Sequence, residues 1–297
     1  MKHFIFWSII ILVPAIAFAQ INFTRHVIDS TTIGRPYDLF AIDLDQDNDI
    51  DVLGASSFTD DISWWENDGN ENFIKHIISD SFDFANSVYA IDIEPDGDID
   101  VLCTAQTADD VAWFENDGDE NFTTHIIADN FNNAQSVFAI DLDGDTDVDV
   151  LAAAFEDDCI TWWENDGNEN FTAHTIDNTF DGVWSVYAID IDDDTDVDVI
   201  AAAANDDDLS WWENDGSENF TEYVIDSNLD GAIAVYAIDI DNDTDIDVLS
   251  AARDANDISW WENDLVGIEE HNQVSAISFD YRSTIINGHL LFPEGKN

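Results

Sequence analysis

Apolar and polar positions alternate along this chain in short bursts, and the bursts come in sets of four. The clearest set is 88–92 (VYAID), 100–105 (DVLCTA), 111–115 (VAWFE) and 121–127 (NFTTHII). A period of two over five or six residues predicts a β-strand with one face turned to a core. Asn116-Asp117-Gly118 separates the third and fourth bursts, and such a turn favours a hairpin because glycine accepts positive φ. No burst carries a helical period. The whole set repeats five times at a step of 49 residues. Four short antiparallel strands per repeat match one blade of a β-propeller, so the expected fold is all-β with five blades.

The ends of the repeat array predict how the ring closes. The fifth copy stops after Trp260-Trp261-Glu262-Asn263-Asp264, without the Asn-Phe-Thr strand that follows in the others. That strand stands at the N-terminus instead, as Asn22-Phe23-Thr24 through Asp29. The expectation is that it pairs with 258–263, completing the last blade and leaving no interior edge. Residues 20–264 would then form the propeller.

Between the first and second bursts of every repeat, acidic residues occupy every second position. They are Asp43, Asp45, Asp47, Asp49 and Asp51; Asp92, Glu94, Asp96, Asp98 and Asp100; Asp141, Asp143, Asp145, Asp147 and Asp149; Asp190, Asp192, Asp194, Asp196 and Asp198; and Asp239, Asp241, Asp243, Asp245 and Asp247. In a tight turn the carboxylates at positions 1, 3, 5 and 9 converge. Each like-charged pair at ~4 Å costs about 1 kcal/mol even in water. A cation has to relieve this. Oxygen ligands with no Cys or His select a hard ion, and flexible geometry favours Ca²⁺ over Mg²⁺. Up to five calcium ions are expected.

Composition narrows the setting. Residues 1–19 begin with Lys2 and His3, continue through an apolar run and end at Ala17-Phe18-Ala19, which reads as a secretory signal peptide. The formal charge of −60 excludes nucleic acid and anionic lipid as partners, and no other stretch is long enough for membrane insertion. The 45% apolar content and 11 Trp argue that so acidic a chain still folds. Cys103 and Cys159 occupy different places in their repeats, so they are expected to be unpaired. The recurring Trp pairs read as inter-blade packing, and the column His26, His76, His125 and His174 reads as structural because one His per blade lies far from the next.

These residues resemble a known family. Residues 141–151 (DLDGDTDVDVL), then Trp162-Trp163-Glu164-Asn165-Asp166-Gly167 and Asn170-Phe171-Thr172, are similar to the FG-GAP/VCBS repeat of integrin-alpha-like propellers and many bacterial surface proteins. The resemblance covers roughly 21–264. It implies a calcium ion in the hairpin between a blade's first two strands, held by the side chains at positions 1, 3, 5 and 9 and by the backbone carbonyl of position 7. The family often has Gly at position 6, whereas here Asn48, Thr146, Thr195 and Thr244 stand there beside Gly97. Pro95 and the longer Glu94 set the second loop apart. Residues 265–297 are similar to the opening of a type IX secretion sorting domain, which implies a secreted or cell-surface protein of a Gram-negative bacterium.

Function follows by contrast between the two ends of the blades. No Ser/His/Asp or Cys/His arrangement stands out, so no enzyme is expected; a polysaccharide lyase or glycosidase, or a purely structural repeat protein, is the alternative. The loops opposite the acidic runs differ from repeat to repeat. Arg35, Tyr37, Trp184 and Arg253 lie there and form the expected ligand face. An extracellular protein or a glycan bearing a carboxylate is the expected partner, bound by a monomer.

Overall fold

A computed structural model describes residues 24–31, 33–264 and the pairs 285–286 and 289–290. The described residues hold strands and turns but no helix, and thus no helix long and apolar enough to cross a membrane. The signal-peptide reading of 1–19 and nearly all of the tail lie outside these residues.

The strands fall into the expected sets. The first blade is β1 (Pro36–Ile42), β2 (Asp51–Ser56), β3 (Asp61–Asn67) and β4 (Phe73–Ser79). The second is β5 (Ala85–Ile91), β6 (Asp100–Ala105), β7 (Asp110–Asn116) and β8 (Phe122–Ala128). The third is β9 (Ala134–Ile140), β10 (Asp149–Ala154), β11 (Cys159–Asn165) and β12 (Phe171–Asp177). The fourth is β13 (Val183–Ile189), β14 (Asp198–Ala203), β15 (Asp208–Asn214) and β16 (Phe220–Asp226). The fifth is β17 (Ala232–Ile238), β18 (Asp247–Ala252) and β19 (Asp257–Trp261). A two-residue pair, β20 (Ile285–Ile286) and β21 (His289–Leu290), lies in the tail. Within every blade the strands pair antiparallel in chain order.

The second strands of the three middle blades, β6, β10 and β14, are buried throughout because both faces of those sheets meet a neighbouring blade. The innermost strands pack in series, β1 on β5, β5 on β9, β9 on β13 and β13 on β17. Four apolar clusters fill the four interfaces between consecutive blades. Most of the paired Trp side chains enter them, Trp162 and Trp163 being only 1% and 4% exposed, whereas Trp65 and Trp260 belong to none and Trp260 is 42% exposed. Cys103 and Cys159 are both buried and free.

Ring closure departs from expectation. The fifth sheet has three strands, and residues 24–29 form none. The N-terminal segment stays on the first blade, where Ile28 and Ile33 line a recess against Trp65 and Gly54. The fifth and first blades do not pack as the other four pairs do. Ile160 of β11 is fully buried, whereas its counterpart Ile258 of β19 is 82% exposed. Leu39 of β1 is 66% exposed, against 6% for Val137 of β9. β1 packs chiefly against β5, and residues 24–29 form no strand beside β19. The propeller is therefore an arc with one seam.

Candidate metal loops and ligand face

The five acidic loops join the first strand of each blade to its second. Position 9 anchors them. Asp149 starts β10 and is 1% exposed; one oxygen accepts from Leu142 N at 2.9 Å and the other from Asn165 N at 2.8 Å. The same pair of bonds recurs at Asp51, Asp100, Asp198 and Asp247. Position 9 therefore ties the acidic loop to the turn after the third strand. Burial pushes Asp149 and Asp198 up to about 7, with neighbouring loop carboxylates adding to the rise.

Position 1 caps the turn. Its carboxylate accepts the backbone N–H of position 6, at 3.0 Å for both Asp141 with Thr146 and Asp190 with Thr195. Position 6 is left-handed in all five loops, with φ of 77° at Asn48, 100° at Gly97, 86° at Thr146, 85° at Thr195 and 90° at Thr244. The threonines thus adopt the glycine conformation and bear its strain. Position 4 is left-handed as well at Gln46, Gly144, Asp193 and Asn242. Pro95 stands at this place in the second loop, and its ring forbids positive φ.

With these backbones, carboxylate oxygens gather within 4.8 Å of one another in four of the five loops. The groups are Asp43, Asp45 and Asp51; Asp141, Asp143 and Asp149; Asp190, Asp192 and Asp194; and Asp239, Asp241 and Asp247. Position 5 enters a group only at Asp194, in place of the position-9 residue Asp198. At Asp47, Asp145, Asp194 and Asp243 alike it accepts the N–H of position 7. The position-7 side chains turn away: Asp147 presses on Gly167, where a Cβ would lie 2.4 Å from its Oδ2. That leaves position 7 only its carbonyl to offer, as the family resemblance implies.

The second loop forms no such cluster. Burial raises both Glu94 and Asp100; the Asp100 charge pushes Glu94 up further, whereas hydrogen bonds from Asn116, Ile93 and Glu94 hold Asp100 back.

The donor set fits a cation. Asp43 Oδ1, Asp92 Oδ1 and Asp192 Oδ1 are buried with no hydrogen-bond partner, as is Glu94 Oε2. Orphaned buried carboxylate oxygens at positions 1 and 3 are costly unless something positive meets them. Asp45 and Asp143 are both raised by burial, and Glu66 and Glu164 add to the rise. These glutamates, which follow the Trp pair, were not singled out from the sequence. Their recurrence beside the turn was the signal. Each is held by a histidine that stacks on the first Trp, as in Glu66–His76 at 2.7 Å with His76 and Trp64 ring centres 4.7 Å apart. The His column is thus engaged structurally, and none of its members joins a candidate metal group among the described residues.

The opposite end differs from blade to blade. A register shift at the start of each first strand bulges out Tyr37, Asn86, Gln135, Trp184 and Ile233. A bulge re-aims a side chain, and this column is where the repeats vary most. Asn86 and Gln135 turn inward and bond each other at 3.1 Å. Trp184 meets Phe155 edge-on at 5.5 Å and carries the Arg253 guanidinium 5.8 Å from its ring centre. Arg253 also pairs with Asp254 at 2.9 Å, and that carboxylate, with Tyr37 nearby, raises its pKa. Tyr37 packs on Phe84, and Arg35 lies over Phe58 of its own blade. So Trp184, Arg253 and Tyr37 come together, Phe155 joins them, and Arg35 is engaged separately.

The family described as FG-GAP-like repeat matches residues 43–103, 95–152, 141–201 and 190–250. No curated protein sequence matches the chain significantly. Among solved structures, the fold is similar to a functionally unknown protein from Desulfotomaculum acetoxidans, with TM-score 0.52, 14% identity, and 78% of this chain and 70% of that one covered. An Agrocybe aegerita lectin that recognises non-reducing terminal N-acetylglucosamine gives TM-score 0.49 at 15% identity over 73% of this chain. The V. cholerae biofilm matrix protein Bap1 gives 0.44 at 20% identity over 68%. This chain spans 60% of the lectin and 30% of Bap1.

Proposed function

This chain belongs to the FG-GAP-like repeat family, and we propose that it is a secreted, calcium-stiffened propeller that binds a ligand without catalysis. The reading rests on the contrast between the two ends of its blades. One end repeats a carboxylate cage with orphaned oxygens; the other displays a different side chain in every blade. Calcium would supply the charge that lets the carboxylates of positions 1, 3 and 9 stand together, or of positions 1, 3 and 5 in the fourth loop. The chain's own contribution is to fix these groups: position 6 N–H holds position 1, and two backbone N–H groups hold position 9. Secretion rests on the leader-like segment 1–19.

On the variable end, Trp184 offers a stacking face and Arg253 a two-pronged donor. A glycan or protein bearing a carboxylate suits both, since the ligand's acid can replace Asp254 on the guanidinium. Screening acidic and neutral glycans against the protein in calcium tests this. Binding should favour acidic members and fall at least tenfold in Trp184→Ala and in Arg253→Ala, with melting unchanged. Binding that survives both substitutions would refute the ligand face.

A further inference from the structure

One strand position is aromatic in every blade. Phe40, Tyr89, Phe138, Tyr187 and Tyr236 occupy the same place in β1, β5, β9, β13 and β17. Successive ring centres lie 4.9, 4.9, 4.8 and 5.0 Å apart, each tilted by 47–53° to the next. The innermost strands carry these rings, so they form a continuous aromatic arc around the axis. Inside it lies a cavity of about 530 Å³, lined by Tyr89, Phe138, Tyr187 and Tyr236 and by the aliphatic side chains next to them. That volume suits a small organic molecule. Its lining comes from the second to fifth blades.

The lining fixes the class of ligand. Among the described residues no Lys, Arg or His lines the cavity, and Asp141 and Asp239, the first residues of two acidic loops, stand at one end. Burial raises Tyr89 and Tyr187 above the usual phenol range, so the arc remains uncharged at neutral pH. Rings about 5 Å apart leave points inside the arc from which several lie within the ~6 Å reach of a cation–π contact. A neutral apolar molecule would use the walls but not the ring quadrupoles or the acidic field. An anion would meet both unfavourably.

We infer that the axial cavity binds a small alkylated ammonium ion, caged by Tyr89, Phe138, Tyr187 and Tyr236. Its carbon atoms contact the walls, and its diffuse charge faces the rings. With calcium held by Asp141 and Asp239, their charge would be largely offset, and the rings would supply most of the preference for a cation. The site is independent of Trp184 and Arg253 at the other end.

The test uses the full chain in calcium, titrated calorimetrically with choline and with 3,3-dimethylbutan-1-ol, its uncharged carbon counterpart. Choline should bind saturably, and the alcohol at least about tenfold more weakly, a factor equal to ~1.4 kcal/mol. Tyr187→Phe, which retains the ring, should keep choline binding; Tyr187→Leu and Tyr236→Leu should each weaken it about tenfold. Arg253→Ala should leave it unchanged, which separates this site from the ligand face. Absence of saturable choline binding, or equal binding of the alcohol, would overturn the inference. If a leucine variant does not fold, the comparison of choline with the alcohol still decides.

Discussion

The second and third acidic loops carry five carboxylates at the same spacing, yet only the third gathers three of them into one group. Asp141, Asp143 and Asp149 converge around a backbone that turns left-handed at both Gly144 and Thr146. In the second loop Gly97 makes the later turn, but Pro95 cannot make the earlier one. Glu94 lies near Asp100, and burial together with that carboxylate pushes it up to about 8. A cage therefore depends on backbone conformation at position 4 as much as on the number of acids. The comparison also separates two roles that sequence alone merges: position 9 is a buried clamp in every blade, whereas positions 1 and 3 are the groups left wanting a cation.

Removing metal should produce the largest effect. Extracellular calcium sites commonly bind at about 10⁻⁴–10⁻³ M. At tenfold excess over Kd each occupied loop adds roughly 1.4 kcal/mol, so four loops contribute about 6 kcal/mol. Melting in calcium and in a chelator should differ accordingly, and identical curves would remove calcium from the account.

Next comes the clamp itself. Asp149→Ala leaves the N–H groups of Leu142 and Asn165 without acceptors in a buried place, and should cost about 2–4 kcal/mol in calcium. Asp145→Ala, on the exposed side of the same loop, should cost well under 1 kcal/mol in chelator. Denaturant midpoints of the two variants should therefore separate clearly.

A smaller, signed effect concerns pH. Asp149 and Asp198 titrate near 7 when folded and near the ordinary 3.8 when unfolded. The folded state thus binds more protons between these values. In chelator, stability should fall as pH rises from about 4 to about 7 and then level off. Calcium displaces those protons, so the stabilisation it adds should grow over the same window. A chelated protein whose melting temperature rises with pH across this range would contradict the burial of these groups.

Much of this was legible in the sequence, because the alternating bursts and the Asn-Asp-Gly turns act locally. The observed β6 matches its burst, and β5, β7 and β8 extend or shift theirs by up to three residues. The cages followed from alternate acids, and Pro95 already marked the second loop. Closure was not legible. Residues 22–29 read as a fourth strand for the fifth blade, but pairing depends on the first blade approaching the fifth, a long-range event that no local pattern encodes. The same dependence makes Ile160 core and Ile258 surface, although their repeats agree. The glutamates beside the loops and the aromatic arc were overlooked for another reason: each recurs singly, without a motif, and gains meaning only when the blades are set around one axis.

The most direct test of the account is a calorimetric calcium titration of the natural chain beside a Glu94→Asp/Pro95→Gly variant. The natural chain should show four strong sites, and the variant, freed to turn left-handed at position 4, should show five and melt slightly higher. Five equivalent sites in the natural chain, or no calcium binding in either, would contradict the claim that backbone conformation in these loops builds the metal cages.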